Sequence, residues 1–546
     1  MQRNASTTYD LVELPSEDLR IVIKRSDCGK QLASEWPGRK KWLCLIVIFL
    51  VQISMNLNTT LYNVIQPIAQ QFDKSEYEVR WGGAASFLIA YAFGCELWAP
   101  WSEEFGRKLV LQLSLSLVNV FAVVAGFAPN FATHAVARTL GGLCSAGGSV
   151  TLAVITDLFN PDDHSFQYAT LFIVLSSVGG SIIGPIVGGF VEAYLDWEWC
   201  LWIQVIFGVA VQLLHSMTVP ETRSTVLMDR IAKRFRKSGA NPHLYGPGEL
   251  VEKCIQWSDV WEIWTRAFKM LLTEPIVLAL SLLSGFSDAL IFMMIQSFGL
   301  VYEQWSFGTV EVGLAFIPIG LGYLFAYFAY FLVIKRNIAR RESRPEDEHA
   351  QYESRLWFLL WTAPLLPLGL ILFAFTAAFS EPPIHWVGSS VAAFVIGIAN
   401  FTIYMATIDY VLRAYGVYAA SATGGNGWAR DFLAGVLTPF AVPMYERMGV
   451  FAGTLLLFGI ALAFCAAVYV VYWQGPALRR RSRFAQELVR EANETEDHVV
   501  TFLSPTSLPG SRAASTRVTR HPTPVSSRRQ SVQRLAVPLA VYDAER

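Results

Sequence analysis

At 546 residues, with 53% of its side chains apolar, 16% charged and a mean hydropathy of +0.38, the chain is too apolar for a soluble protein of its length. Its formal net charge is −1 and its basic residues are spread over several polar loops, which excludes a nucleic-acid-binding stripe. The seven cysteines lie in or beside apolar runs or in segments expected on the reducing side, so they offer no extracellular disulfide framework.

In chain order, residues 1–41 are a polar leader, expected to be disordered and closed by Arg39-Lys40-Lys41. A span needs about 20 mostly apolar residues to cross a hydrocarbon core of about 30 Å. Twelve runs meet that length, near 42–62, 82–101, 109–127, 132–157, 168–194, 200–219, 275–301, 310–334, 355–379, 386–411, 421–444 and 450–473. The expected architecture is an all-α membrane protein of twelve transmembrane helices in two six-helix halves, 42–219 and 275–475. A polar linker, 220–274, separates the halves, and a Ser-, Thr-, Pro- and Arg-rich tail, 476–546, is expected to be disordered and to offer Ser531 as a weak kinase site. Thr225 to Lys237 in the linker mixes apolar and basic residues, as a helix lying on membrane lipid would. Lys and Arg cluster before the first span and after the second, sixth, eighth and last, which predicts that both termini are cytoplasmic.

Several polar residues stand where lipid would penalise them. Glu96 lies in the second span, Arg138 in the fourth and Asp288 near the middle of the seventh. A cation inside a span costs about 2.5–3.5 kcal/mol on insertion scales, so Arg138 must face a cavity or a partner. A carboxyl in apolar surroundings gains proton affinity, which makes Asp288 and Glu96 candidates for a transported proton or a cationic solute, with a hydrogen-bonded structural acid as the alternative for Asp288. Asp409, at the end of the tenth span, suits a gate or a salt bridge with Arg413. Asn56, Gln296, Asn400, Tyr404, Asn426, Trp428 and Arg430 are the polar and bulky candidates for lining a substrate cavity. In the fifth span Gly180, Gly184 and Gly188 recur every four residues, with Pro185 and Gly189 among them, so one helix face is bare enough for a close neighbour.

Four of these patterns resemble motifs of the major facilitator superfamily, and in particular its fungal twelve-span drug/proton antiporters. The Gly180 to Gly189 stretch resembles the antiporter signature G-x-x-x-G-P-x-x-G-G. The loop Pro100 to Lys108 resembles G-x-x-x-D-R-x-G-R-R, with Glu103 at the acidic place, Gly106 at the turn and Arg107 and Lys108 as the basic pair; Ala99 and Glu104 depart from it. The resemblance implies a gate in which a basic residue of this loop pairs with Asp157. Arg138 with Gly142 resembles R-x-x-x-G, which implies a role in proton coupling, although Gly141 replaces the family's Gln. Tyr418-Ala419-Ala420-Ser421-Ala422 followed by Asn426 and Arg430 resembles the Y-A-A-S-A block of the fungal branch, with Arg413 where many members have Asp.

The resemblance implies two pseudo-symmetric halves that rock about a midplane site, exporting a small organic molecule such as a drug, toxin or secondary metabolite in exchange for protons. A selective carrier of an organic acid or polyamine is the alternative. No H-E-x-x-H, G-x-S-x-G or G-x-x-x-x-G-K-[ST] pattern occurs, so neither an enzyme nor an ATP-driven pump is expected. The expected partners are the solute, protons and lipid, with no cofactor, no metal and no nucleic acid, for a monomer in the plasma membrane rather than the vacuolar one.

Overall fold

The computed structural model describes residues 10–12, 20–62, 64–160, 164–239, 241–250, 257–343, 347, 351–378, 384–415 and 418–481. Ser531 and most of the C-terminal tail lie outside the described residues.

The apolar runs are helices. In chain order they are α1 (Gly38–Thr60), α2 (Ser86–Glu104), α3 (Arg107–Gly126), α4 (Phe131–Leu143), α5 (Gly147–Leu158), α6 (His164–Tyr194) and α7 (Trp199–Thr218) in the first half. After α8 (Ser224–Lys237) and α9 (Trp257–Thr273), the second half contains α10 (Pro275–Tyr302), α11 (Thr309–Leu314), α12 (Ile317–Ser343), α13 (Trp357–Thr362), α14 (Leu365–Thr376), α15 (Val387–Ala414), α16 (Ala419–Leu437) and α17 (Ala441–Arg481). Among the described residues ten stretches are long and apolar enough to cross a membrane. The last of them is 62 residues long and bends at Gly449, where φ is 78° and ψ 157°. α2, whose 19 residues include three carboxylates, two Trp and Pro100, is not among the ten. Dividing the long stretch at its bend and adding α2 would bring the ten to the twelve read from the sequence.

Several of the runs depart locally from a plain α-helix, among them the eighth, ninth and eleventh, interrupted at Ala315–Phe316, Ala363–Pro364 and Thr438–Phe440. The fourth is broken between α4 and α5, at Cys144–Ala146. Lipid offers such a break no hydrogen bonds, and Ser114 of α3 supplies them, donating to the Cys144 carbonyl at 2.7 Å and accepting from the Ala146 amide at 2.9 Å. The second run begins as a π-helix over Arg80–Ala85 before continuing as α2.

The chain divides into two compact units. The larger, Lys30–Leu227 with Val251–Leu488, holds both helical halves. Within it α6 packs on α11 and α12, and α2 on α16, joining the halves. Residues 30–41 were expected to be disordered, yet Leu32, Ala33 and Trp36 are buried, and Lys41 donates to the Ser34 carbonyl at 2.7 Å.

The described residues of the smaller unit fall within Met1–Gly29 and Met228–Leu250. Its described part contains a three-stranded sheet of β1 (Asp10–Val12), β2 (Arg20–Val22) and β3 (Leu244–Tyr245). β1 and β2 are antiparallel, with Asp10 opposite Val22, and β2 and β3 are parallel, with Ile21 opposite Leu244. Here Arg236 makes two 2.7 Å bonds to Glu249 and lies 4.4 Å over the Tyr245 ring. The paired guanidinium holds the Glu249 carboxyl down at about 2.

Candidate functional site

A cavity of about 260 Å³ opens between the halves, walled by α2 and α5 on one side and α15 and α16 on the other. Its charged groups fall into two clusters. Glu103, Arg107 and Arg223 mark one end, and Glu96, Tyr404, Asn426, Arg430 and Asp431 the other. Arg430 and Asp431 also line a void of about 10 Å³, room for one water, together with Asn56, Ser177, Asp288 and Phe292.

Arg430 is the hub of the deep end. Its guanidinium lies 3.1 Å from Asp431 and 3.6 Å from Asp288, with its face 4.6 Å from the centre of the Tyr404 ring. Buried charges are tolerated only when paired, and this cluster joins α10 to α16 through ion pairs. Asn426, one turn before Arg430, donates to Ser281 of α10 at 3.2 Å, and Asn400 donates to Ser287 at 3.0 Å. Opposite them Asn56 donates to the Ser177 carbonyl at 2.6 Å.

At the other end Arg107 pairs with Asp157 at 3.1 Å and lies 3.7 Å from Glu103; Arg223 lies 3.8 Å from Glu103 and 3.9 Å from Asp157. Glu221 accepts from the amides of Arg107 at 2.9 Å, Lys108 at 3.3 Å, Thr222 at 3.0 Å and Arg223 at 3.0 Å. It caps α3 from the end of α7, satisfying amide donors that a helix start leaves open. Gly106 makes the approach feasible, since its φ is +99° and a Cβ there would strike the Glu221 carboxylate. Lys108 donates to the Ser216 carbonyl at 2.8 Å. The second half repeats the device. Arg355, just before α13, pairs with Asp409 near the end of α15, as Arg107 at the start of α3 pairs with Asp157 near the end of α5. Gln167 of α6 then crosses between halves, donating to Asp409 at 2.8 Å and accepting from Arg341 at 2.9 Å.

A sequence model described as the Major Facilitator Superfamily matches residues 46–439. The chain belongs to that superfamily. An MFS-type transporter of Penicillium rubens, paaT, is 31% identical over 484 residues, covering 86% of this chain and 84% of its own length. The ascochitine biosynthesis cluster MFS transporter of Didymella fabae is 26% identical, covering 89% and 93% respectively. Efflux pump radE of Floropilus chiversii is 27% identical, covering 83% and 84%. Among solved structures the human organic anion transporter MFSD10 (TETRAN) covers 79% of this chain and all of its own, with a TM-score of 0.53 at 16% identity, a likeness of fold alone. The protein is thus a multi-pass membrane transporter of the superfamily, and not an enzyme.

The glycines of this superfamily member's α6 sit at two contacts. A Cβ on Gly180 would lie 2.6 Å from that of Asn56, and one on Gly184 would strike Thr60, so both face α1. A Cβ on Gly189 would meet the Thr309 carbonyl at 2.6 Å and Gly313 at 3.2 Å, so it faces α11 in the other half. Gly188 and Pro185 are buried in the same helix.

Arg138 is buried, and of the cavity or partner that a cation within a span requires it has the partner. It donates to the main-chain carbonyls of Asn58 at 2.8 Å and Gly83 at 3.2 Å, between the rings of Phe87 and Tyr62, 4.2 and 4.7 Å away. It has no carboxylate partner among the described residues and lines neither cavity, so it braces α1, the π-helix and α4. Four of the lining candidates also fall outside the larger cavity, Asn56 among them, which lines only the small void. Asn400 is committed to Ser287, and Gln296 lies along α10 away from the cavity wall. Trp428, two residues before Arg430, points away from it into an aromatic group with Phe432 at 4.6 Å, Phe268 at 5.1 Å and Phe93 at 5.8 Å. Asp409 is paired with Arg355. The sequence reading missed Asp431, Glu221, Gln167 and Arg355.

Proposed function

We propose that this transporter is an exporter that exchanges inward protons for outward small organic molecules by alternating access, in the plasma membrane with both termini cytoplasmic. One observation supports it most: at the interface of the halves Arg430 is shared between Asp288 and Asp431, 3.6 and 3.1 Å away. A proton arriving on Asp288 removes its charge and leaves Arg430 to Asp431 of its own helix, so protonation releases α10 from the ion pair with α16. The bonds of Gln167 to Asp409 and Arg341 cross between the halves and are contacts that rocking would remake. Relatives named as an efflux pump and as a biosynthesis-cluster transporter support the outward direction and a metabolite-like solute. In this reading Arg138 contributes by fixing the packing of the first half, and Glu96 and Asp288 are the protonatable groups.

The test is transport in liposomes containing the purified protein under an imposed pH gradient. Uphill movement of solute is expected with the gradient and none after its collapse; Asp288→Asn should uncouple flux from pH. Uphill transport without any ion gradient, or one that follows sodium, would overturn the coupling.

A further inference from the structure

Six charged side chains line the cavity: Glu96, Glu103, Arg107, Arg223, Arg430 and Asp431. At the Glu103 end Arg107 and Arg223 balance Glu103 and Asp157, all within 3.9 Å of a partner. At the deep end Arg430 is already shared between Asp431 and Asp288. Glu96 is left over. It is 6% exposed, borders the cavity and, among the described residues, has neither a cation nor a hydrogen-bond donor on its carboxylate. Three carboxylates against one guanidinium leave this end short of positive charge, and a buried carboxylate without a partner is costly. Leu152, Phe166, Ile408 and Leu412 give the cavity a broad apolar surface, interrupted by the hydroxyl residues Ser149, Thr156 and Thr423.

We propose that Glu96 is the seat of the solute's positive charge, and that the exported class is an organic monocation, an ammonium group on an apolar body. The cation supplies the charge that the deep end lacks, while its body covers the apolar surface. This deepens the exporter reading and rests on it. Gly424 sets the carboxylate's position, because a Cβ built there would run into the Glu96 oxygens.

The experiment is equilibrium binding to the purified full-length protein in detergent at constant pH, with no gradient, using benzyltrimethylammonium, whose charge does not titrate, and its uncharged carbon isostere neopentylbenzene. Glu96→Gln should weaken the cation at least about 30-fold, the low end of what losing one member of a desolvated charge pair costs, and leave the isostere within about twofold. Gly424→Ala, which keeps every charge but displaces the carboxylate, should weaken the cation in the same direction and serves if Glu96→Gln does not fold. No saturable cation binding to the wild type, unchanged binding in both variants, or equal loss of cation and isostere would each overturn the assignment. Because no proton gradient is present, these outcomes are independent of whether export is proton-driven.

Discussion

Substituting Gly106 by Ala perturbs the loop between α2 and α3 in two separable ways. The residue has φ +99° and ψ 153°, a region open essentially to glycine, and forcing another residue into such a region costs about 1–3 kcal/mol. The new Cβ also lands 2.6 Å from the Glu221 carboxyl carbon, so the carboxylate must leave the amides of Arg107 and Lys108. Losing a helix cap costs about 0.5–2 kcal/mol. Together Gly106→Ala should destabilise by about 1.5–5 kcal/mol. With Glu221→Ala in place the collision has no target and only the strain of about 1–3 kcal/mol remains, leaving a coupling of about 0.5–2 kcal/mol between the two sites. Denaturant unfolding of the purified protein in detergent, run on both single variants and the double variant, reads each quantity. Strictly additive single effects, or Gly106→Ala within about 0.5 kcal/mol of wild type, would refute the trans cap.

Gly184→Leu inserts four heavy atoms where α6 meets Thr60, so efflux should be lost while surface labelling still finds the protein in the membrane; normal efflux would mean α1 and α6 need no close contact. Arg107→Gln and Arg355→Gln each strip one partner from a buried ion pair, which costs about 3–5 kcal/mol, and thermal unfolding in detergent should show a comparable loss for both if the two halves use the device alike. Glu249 has its folded-state value depressed to about 2 from an ordinary 4.5, so its contribution is complete above 4.5 and disappears as pH falls toward 2. Hydrogen exchange corrected for intrinsic rates should show the Gly246 amide, which donates to Glu249 at 3.1 Å, losing protection over that window, and Arg236→Gln should shift the loss to higher pH. A tag inserted at Ser75 should be reached by impermeant reagents in intact cells and a reporter after Lys237 should not; the opposite result would reverse the orientation.

Hydropathy alone located the helices because lipid leaves the backbone little alternative to helix, and the glycine motif was legible because a bare helix face implies a close neighbour. The break at Cys144–Ala146 was not foreseen: its small residues read equally well as packing, and Ser114 is some 30 positions away. Asp431 was overlooked for a geometric reason. Adjacent helical residues do not share a face, so its neighbour Arg430 was read without it, yet the long guanidinium folds back to 3.1 Å. The same rule in reverse places Trp428 off the cavity. Arg138 announced that it needed a partner but not which, and main-chain carbonyls leave no mark in a sequence. Glu221 and Arg223 were hidden among the charges that follow the sixth run, and Arg355 meets Asp409 only after the second half has folded.

The π-helix at Arg80–Ala85 has a consequence for comparing this chain with its kin. A π turn accommodates one residue more than the α-helix around it, so a relative without it carries a one-residue deletion near Gly82 or Gly83. An alignment drawn straight through would misassign every position on one side of that point, and one residue is about 100° of helix rotation. Glu96, thirteen residues beyond Gly83, would then be matched to a side chain facing a different neighbour, and a missing acid in the relative would be an error of register rather than a change of chemistry.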